Sequence, residues 1–122
     1  MSKFTFSNYV IADTSTIAEA MQAITLNHRG TVIVVDEVER VIGVVSDGDI
    51  RRAMVKGLIV EAPVLKCLNA NFIALTKKAT AKEREAIFDQ QPQINLVPVI
   101  DKQNRLLDLV IRQDQQASTH EK

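Results

Sequence analysis

The sequence predicts an α/β (α+β) fold built from two similar strand–helix–strand–strand–helix repeats. Segment 29–49 lies on segment 94–114 at an offset of 65, with identities Val32/Val97, Val34/Val99, Asp36/Asp101, Arg40/Arg105, Val45/Val110 and Asp49/Asp114. Aliphatic residues face aliphatic residues at Val35/Ile100, Val41/Leu106, Ile42/Leu107 and Val44/Leu109. The order of features also recurs: apolar strand, Asp, polar turn, Arg, apolar strand, polar turn with Asp.

Short apolar stretches at Val10-Ile11 and at Phe72-Ile73-Ala74-Leu75 precede the two helices and read as edge strands. Thr16 with Glu19 reads as a capping box, and Ile17, Ala20, Met21 and Ile24 fall on one face of the helix that follows. Gly30 suits its stop, and His28 suits a C-terminal cap or the surface. In the second half Thr80 with Glu83 repeats the box, Ala86, Ile87 and Phe88 supply the apolar set, and Pro92 ends the helix. These caps align at an offset of 64, so the halves differ by a small insertion or deletion. The strand pairs read as hairpins closed by 36–40 and 101–105. Ile50, Ala53 and Met54 then predict a helix stopped at Gly57. The resulting division is a first motif over 10–59, a connector over 60–70, a second motif over 71–116 and a mobile tail over 117–122. Val64, Leu65 and Leu68 suggest a helical turn in the connector, after Pro63.

Composition narrows the function. Fifteen basic and fifteen acidic residues cancel, so no cationic footprint calls for nucleic acid. The apolar runs are too short for a membrane span, and the first residues do not read as a secretory signal. The single cysteine, Cys67, excludes an internal disulfide and fits a reducing cytoplasm. Neither a nucleophile–base pair nor a glycine-rich phosphate loop with lysine is present, which argues against an independent enzyme.

The most informative stretch is Gly43-Val44-Val45-Ser46-Asp47-Gly48-Asp49-Ile50-Arg51-Arg52. An apolar strand runs into a polar turn that opens a helix. Backbone N–H groups and the dipole at a helix start favour an anion. A serine hydroxyl reaches a phosphate, and a carboxylate accepts from two ribose hydroxyls. The same residue types have plainer uses. Ser46 suits an N-cap, and Asp47 and Asp49 suit turn and cap positions. The Asp47/Asp49 pair lacks the further oxygen ligands of a calcium loop. Cys67 reads as packing, and Glu83, Arg84 and Glu85 read as a solvated helix face.

This pattern resembles the cystathionine β-synthase (CBS) domain, which occurs in tandem pairs. The family's mark is a small residue, two aliphatics, Ser or Thr, two variable residues and Asp; here it is Gly43 to Asp49. The preceding strand ending in Asp recurs as Val32-Ile33-Val34-Val35-Asp36 and as Leu96-Val97-Pro98-Val99-Ile100-Asp101. The wording Ser-Asp-Gly-Asp-Ile-Arg-Arg looks like CBS pairs attached to sugar-phosphate isomerases and sugar-1-phosphate nucleotidyltransferases. The resemblance implies two motifs related by pseudo-two-fold symmetry, a cleft for AMP, ADP, ATP or a related nucleotide, no catalytic cofactor, and frequent homodimerisation into a flat disc. It further implies that Asp49 accepts from ribose and Ser46 donates to phosphate. Thr31, Val32 and Ile33 would meet the base through backbone, and Arg51 or Arg52 would neutralise phosphate. Ile11 to Thr14 would form the rim.

In the second half Asp114 keeps the ribose position, Ile111 replaces the hydroxyl, and Asp108 replaces the small residue and would crowd the strand end. One good site is therefore expected, at Ser46 and Asp49, completed by Gln93 to Val97 of the other half. The expected function is a nucleotide-sensing regulatory module that controls an attached or partner sugar-nucleotide enzyme. The alternative is a ligand-free structural or dimerisation module.

Overall fold

The computed structural model describes residues 8–112. Its elements are β1 (Val10–Ala12), α1 (Ile17–Asn27), β2 (Thr31–Val35), β3 (Val41–Ser46), α2 (Asp47–Val55), a 3-10 turn (Val64–Cys67), β4 (Leu75–Thr76), α3 (Ala81–Gln90), β5 (Leu96–Ile100) and β6 (Leu106–Ile111). The strands form two three-stranded sheets, β1-β2-β3 and β4-β5-β6. In each, the first strand runs parallel to the second, and the second pairs antiparallel with the third.

The repeat extends to fine detail. Thr31 opposes Ser46 as Leu96 opposes Ile111, and the hairpin register slips between Val34 and Val35 and again between Val99 and Ile100. The turns are closed alike. The Asp36 carboxylate accepts from the backbone N–H of Val38 and Arg40 and from Arg40 Nε; Asp101 does the same for Gln103, Arg105 and Arg105 Nε. Those donors hold both carboxyls below their ordinary value, the Arg40 and Arg105 N–H groups most of all, against a partial desolvation. Glu39 and Asn104 take left-handed backbone at matching positions, φ 67° and 68°. The hairpin tips meet: Val41 N–H donates to Asn104 O at 2.8 Å, and Leu106 N–H donates to Glu39 O at 2.9 Å. This reciprocal pair, about Arg40 and Arg105, marks the pseudo-two-fold relation.

Alternation along the strands sorts the core. Val32, Val34 and Val45 face α1 and α2 with Ile17, Ala20, Ala23, Ile24, Ile50, Ala53, Val64 and Cys67. Ile33 and Val41 pack with Leu96 and Leu106 in a layer shared by the two halves. Val97, Val99 and Leu75 form a third cluster beside Ile87 and Phe88 of α3. The central strands β2 and β5 read as near-continuous apolar runs because both of their faces are covered.

The structure redraws several elements. In α1 the residue withdrawn from water is Ala23, whereas Met21 is exposed, because the buried stripe passes from Ala20 to Ala23, Ile24 and Asn27. The helix stops before Gly30: His28 takes the left-handed cap at φ 59°, and Gly30 follows at φ 75°. The edge strand expected over Phe72–Leu75 is confined to Leu75–Thr76; Phe72 instead packs in the layer between the halves. The 3-10 turn realises the connector's helical turn. The segment following Asp114 lies outside the described residues.

Candidate functional site

The site begins where β3 ends. Val44 N–H donates to Asn69 O at 3.0 Å, and Asn69 N–H returns to Val44 O at 2.9 Å, so the connector passes tightly over β3. A Cβ on Gly43 would lie 2.7 Å from Asn69 O and equally near Leu68 Cδ1. The small residue of the motif is thus required by backbone approach. Asp108, at the corresponding place in β6, is exposed, and its Oδ1 accepts the next N–H, from Leu109 at 2.8 Å.

At the β3–α2 junction Ser46 is the N-cap. Its Oγ accepts from Asp49 N–H at 3.2 Å and donates to Asp49 Oδ2 at 3.0 Å. Ser46 N–H donates to the same Oδ2 at 2.9 Å, and Arg52 Nη2 donates to Oδ1 at 2.7 Å. Asp47 N–H donates to Gly30 O at 3.0 Å. The helix start that the sequence presents as an anion cradle therefore directs the N–H groups of Asp47 and Asp49 to the protein's own oxygens. Ser46 and Asp49 act as cap residues and face an open cleft as well.

That cleft, of about 410 Å³, is lined by Gly30, Thr31, Val44, Ser46, Asp49 and Arg52 of the first half, Asn69 to Ile73 in part, and Gln91, Gln93, Ile94 and Leu96 of the second. Its wall is carried by rigid parts. Buried Asn27 donates to Asn8 O and Thr31 O and accepts from Arg29 N–H, fixing the passage from α1 into β2. Arg112 fixes the opposite wall: Nε donates to Ile94 O and Asn95 Oδ1, and Nη2 donates to Phe88, Gln91 and Ile94 carbonyls. Its guanidinium also lies over the Phe88 ring at 4.9 Å.

Among the residues expected at the site, Ser46, Asp49, Thr31 and Arg52 line the cleft. Thr31 Oγ1 is tied to Val45 O at 3.0 Å. Val32, Ile33 and Val97 have core side chains, which leaves only their backbone for a ligand. Arg51 lines a separate surface hollow with Met21, Asp47, Met54 and Val55, since consecutive helix residues point about 100° apart. Gln93, Ile94 and Leu96 complete the cleft from the second half as expected, whereas Ile11 to Thr14 are absent from its lining. Asp114 lies outside the described residues. Sequence reading missed Asn69, Asn71, Phe72, Ile73 and Gln91; the first four arrive on the chain that returns over β3 and Gln91 at the end of α3, and no local pattern marks either approach. Burial pushes the Cys67 thiol up, and the Asp49 charge adds to it, consistent with a packing role.

Two sheets related by a pseudo-two-fold, with a cleft at the strand end of one and the wall of the other, now stand beside the sequence match. Residues 4–56 match the CBS domain family. The fold is that of a tandem CBS-domain pair. The CBS domain protein PAE2072 from Pyrobaculum aerophilum, complexed with AMP, superposes with a TM-score of 0.68 at 23% identity, covering 84% of this chain and 79% of that one. The CBS domain pair of protein MJ0100, in complex with 5′-methylthioadenosine and S-adenosyl-L-methionine, gives 0.70 at 18% identity over 90% and 86%. Among curated relatives, arabinose 5-phosphate isomerase GutQ of Salmonella typhi is 30% identical over 100 residues, 82% of this chain but 31% of the isomerase. The chain thus spans about a third of the length of the relatives it matches. Among the described residues no helix is long and apolar enough to cross a membrane.

Proposed function

We propose that this chain is a nucleotide-binding regulatory module whose ligand occupies the cleft between its halves. The observation that carries this reading is the lining of one cleft by Ser46, Asp49 and Arg52 from one half and Gln91, Gln93, Ile94 and Leu96 from the other. A hydroxyl, a carboxylate and a guanidinium provide polar anchors, and Val44, Phe72, Ile73, Ile94 and Leu96 provide the apolar walls that a base requires. The volume lies in the range of about 300–1,000 Å³ typical of small-molecule sites. AMP with PAE2072 and adenosyl compounds with MJ0100 support an adenosine-containing ligand. In this reading Asp49 accepts from ribose, Ser46 and Arg52 serve the phosphate, and backbone at Thr31, Val32, Ile33 and Val97 borders the base. Asp114 holds the matching sequence position in the second half, where Ile111 stands in place of the hydroxyl.

Because the ligand touches both halves, it favours whichever arrangement closes the cleft, and it regulates only insofar as it binds two arrangements unequally. Similarity to an arabinose 5-phosphate isomerase supports control of an attached or partner sugar-phosphate enzyme. Titration calorimetry with AMP, ADP, ATP and guanosine and cytidine nucleotides tests the reading. Saturable binding below millimolar is expected; its absence for every nucleotide overturns it.

A second reading, a ligand-free dimerisation module, has its own support. Asp49 is already engaged by Ser46 and Arg52, and Met21, Met54 and Val55 leave an apolar helical face exposed. It predicts a concentration-dependent homodimer whose mass distribution is indifferent to nucleotides, measurable by analytical ultracentrifugation.

A further inference from the structure

We propose that Arg52 makes the cleft discriminate phosphorylated ligands from free nucleosides, by passing from Asp49 to the ligand's phosphate when a nucleotide enters. The proposal rests on the nucleotide reading of the cleft and adds which chemical class it rejects.

Both oxygens of the Asp49 carboxylate are engaged. Oδ2 accepts from Ser46 N–H at 2.9 Å and Ser46 Oγ at 3.0 Å, and Oδ1 accepts from Arg52 Nη2 at 2.7 Å. The Ser46 N–H bond to Oδ2 belongs to a capping box, so releasing Oδ2 would open the start of α2. Oδ1 is the oxygen that a ligand hydroxyl can claim at least cost. Its partner is held loosely, since the Arg52 side chain is 67% exposed while that of Asp49 is 16% exposed. Exposed ion pairs of this kind are weak and exchange readily. The guanidinium also lies over Gly48, where a Cβ would sit 3.2 Å from Arg52 Nη1. Glycine thus leaves room for the folded-back arginine.

A ligand hydroxyl that takes Oδ1 displaces the guanidinium into a cleft wall it already lines. For a neutral nucleoside this exchanges an ion pair for a single hydroxyl–carboxylate bond and returns the cation to solvent without a new partner. A nucleotide brings its own dianion within the sweep of the arginine side chain, and arginine pairs with phosphate in a two-pronged fashion. The same residue therefore opposes the nucleoside and supports the nucleotide.

The test is calorimetric titration of the full chain and of Arg52→Gln with AMP and with adenosine. In Arg52→Gln, AMP affinity is expected to fall about tenfold while adenosine affinity rises about threefold, so their ratio contracts about thirtyfold, in line with charge-assisted contacts of this type. Gly48→Ala retains the charge but crowds the folded-back guanidinium, and it is expected to raise the affinity for adenosine and for AMP by a similar small factor, since both displace the arginine from Asp49. Circular dichroism checks that each variant keeps its fold. Equal loss of both ligands in Arg52→Gln, or an unchanged ratio, overturns the inference while leaving the nucleotide reading in place. Failure of the unaltered chain to bind AMP or adenosine overturns both.

Discussion

Helix α1 withdraws Ile17, Ala20, Ala23, Ile24 and Asn27 from solvent, whereas α3, its counterpart in the second half, buries none of its residues. The strands beneath them are nearly interchangeable. The hairpins share their register slip, their Asp–Arg turn closure and their left-handed turn residue. The comparison teaches that a repeat can be copied closely where backbone hydrogen bonding dictates it and diverge where packing does. The first half packs α1, α2 and the 3-10 turn on one sheet face. The second anchors α3 by Arg112, which binds three carbonyls at the end of that helix and after it.

The largest expected effect lies in that difference. Ile17→Ala, at a site with 0% exposure, is expected to cost about 3 kcal/mol, and Ile87→Ala, half-buried on α3, about 1 kcal/mol. Urea denaturation with a common m-value checks it; equal costs would break the contrast. Arg112→Ala removes the clamp that substitutes for packing in the second half. A loss of about 2 kcal/mol is expected, with hydrogen exchange in α3 accelerating before that in α1. Gly43→Ala, where a Cβ meets backbone at 2.7 Å, is expected to cost about 1–2 kcal/mol, whereas Asp108→Ala should change stability by under about 0.5 kcal/mol. Thermal denaturation of the pair separates the covered strand end from the open one.

The smallest effect tests likeness rather than difference. Asp36 and Asp101 both have depressed carboxyl values in the folded chain, so each stabilises fully above the ordinary carboxylate range. That contribution is lost as pH falls into and below this range, where the folded form gives up its anion. Asp36→Asn and Asp101→Asn should therefore destabilise by equal small amounts at neutral pH, and both differences should vanish in acid. Denaturation curves across pH show whether the two turns are energetically the same.

Much of this was legible in the residues. The offset of 65 returned the hairpins, and Thr16, Ser46 and Thr80 announced three helix starts, all realised as capping boxes. The i, i+3 spacing of Asp49 and Arg52 permitted their pair. Less legible was which apolar residue of α1 turns inward, because Met21 and Ala23 both border the stripe. Arg51 and Arg52 were equivalent in sequence, yet they line different hollows.

The sequence alone determined the two-unit plan, because strand alternation, helix caps and Asp–Arg turns act over at most five residues and need no partner. It also placed Ser46 and Asp49 at a helix start. Only the tertiary structure decided that the hairpins meet tip to tip, that the connector returns over Gly43, and that Gln91 to Leu96 face Asp49 across a cleft. Those contacts join residues tens of positions apart. They arise from burying both faces of two sheets at once, a condition that no local window of the chain contains.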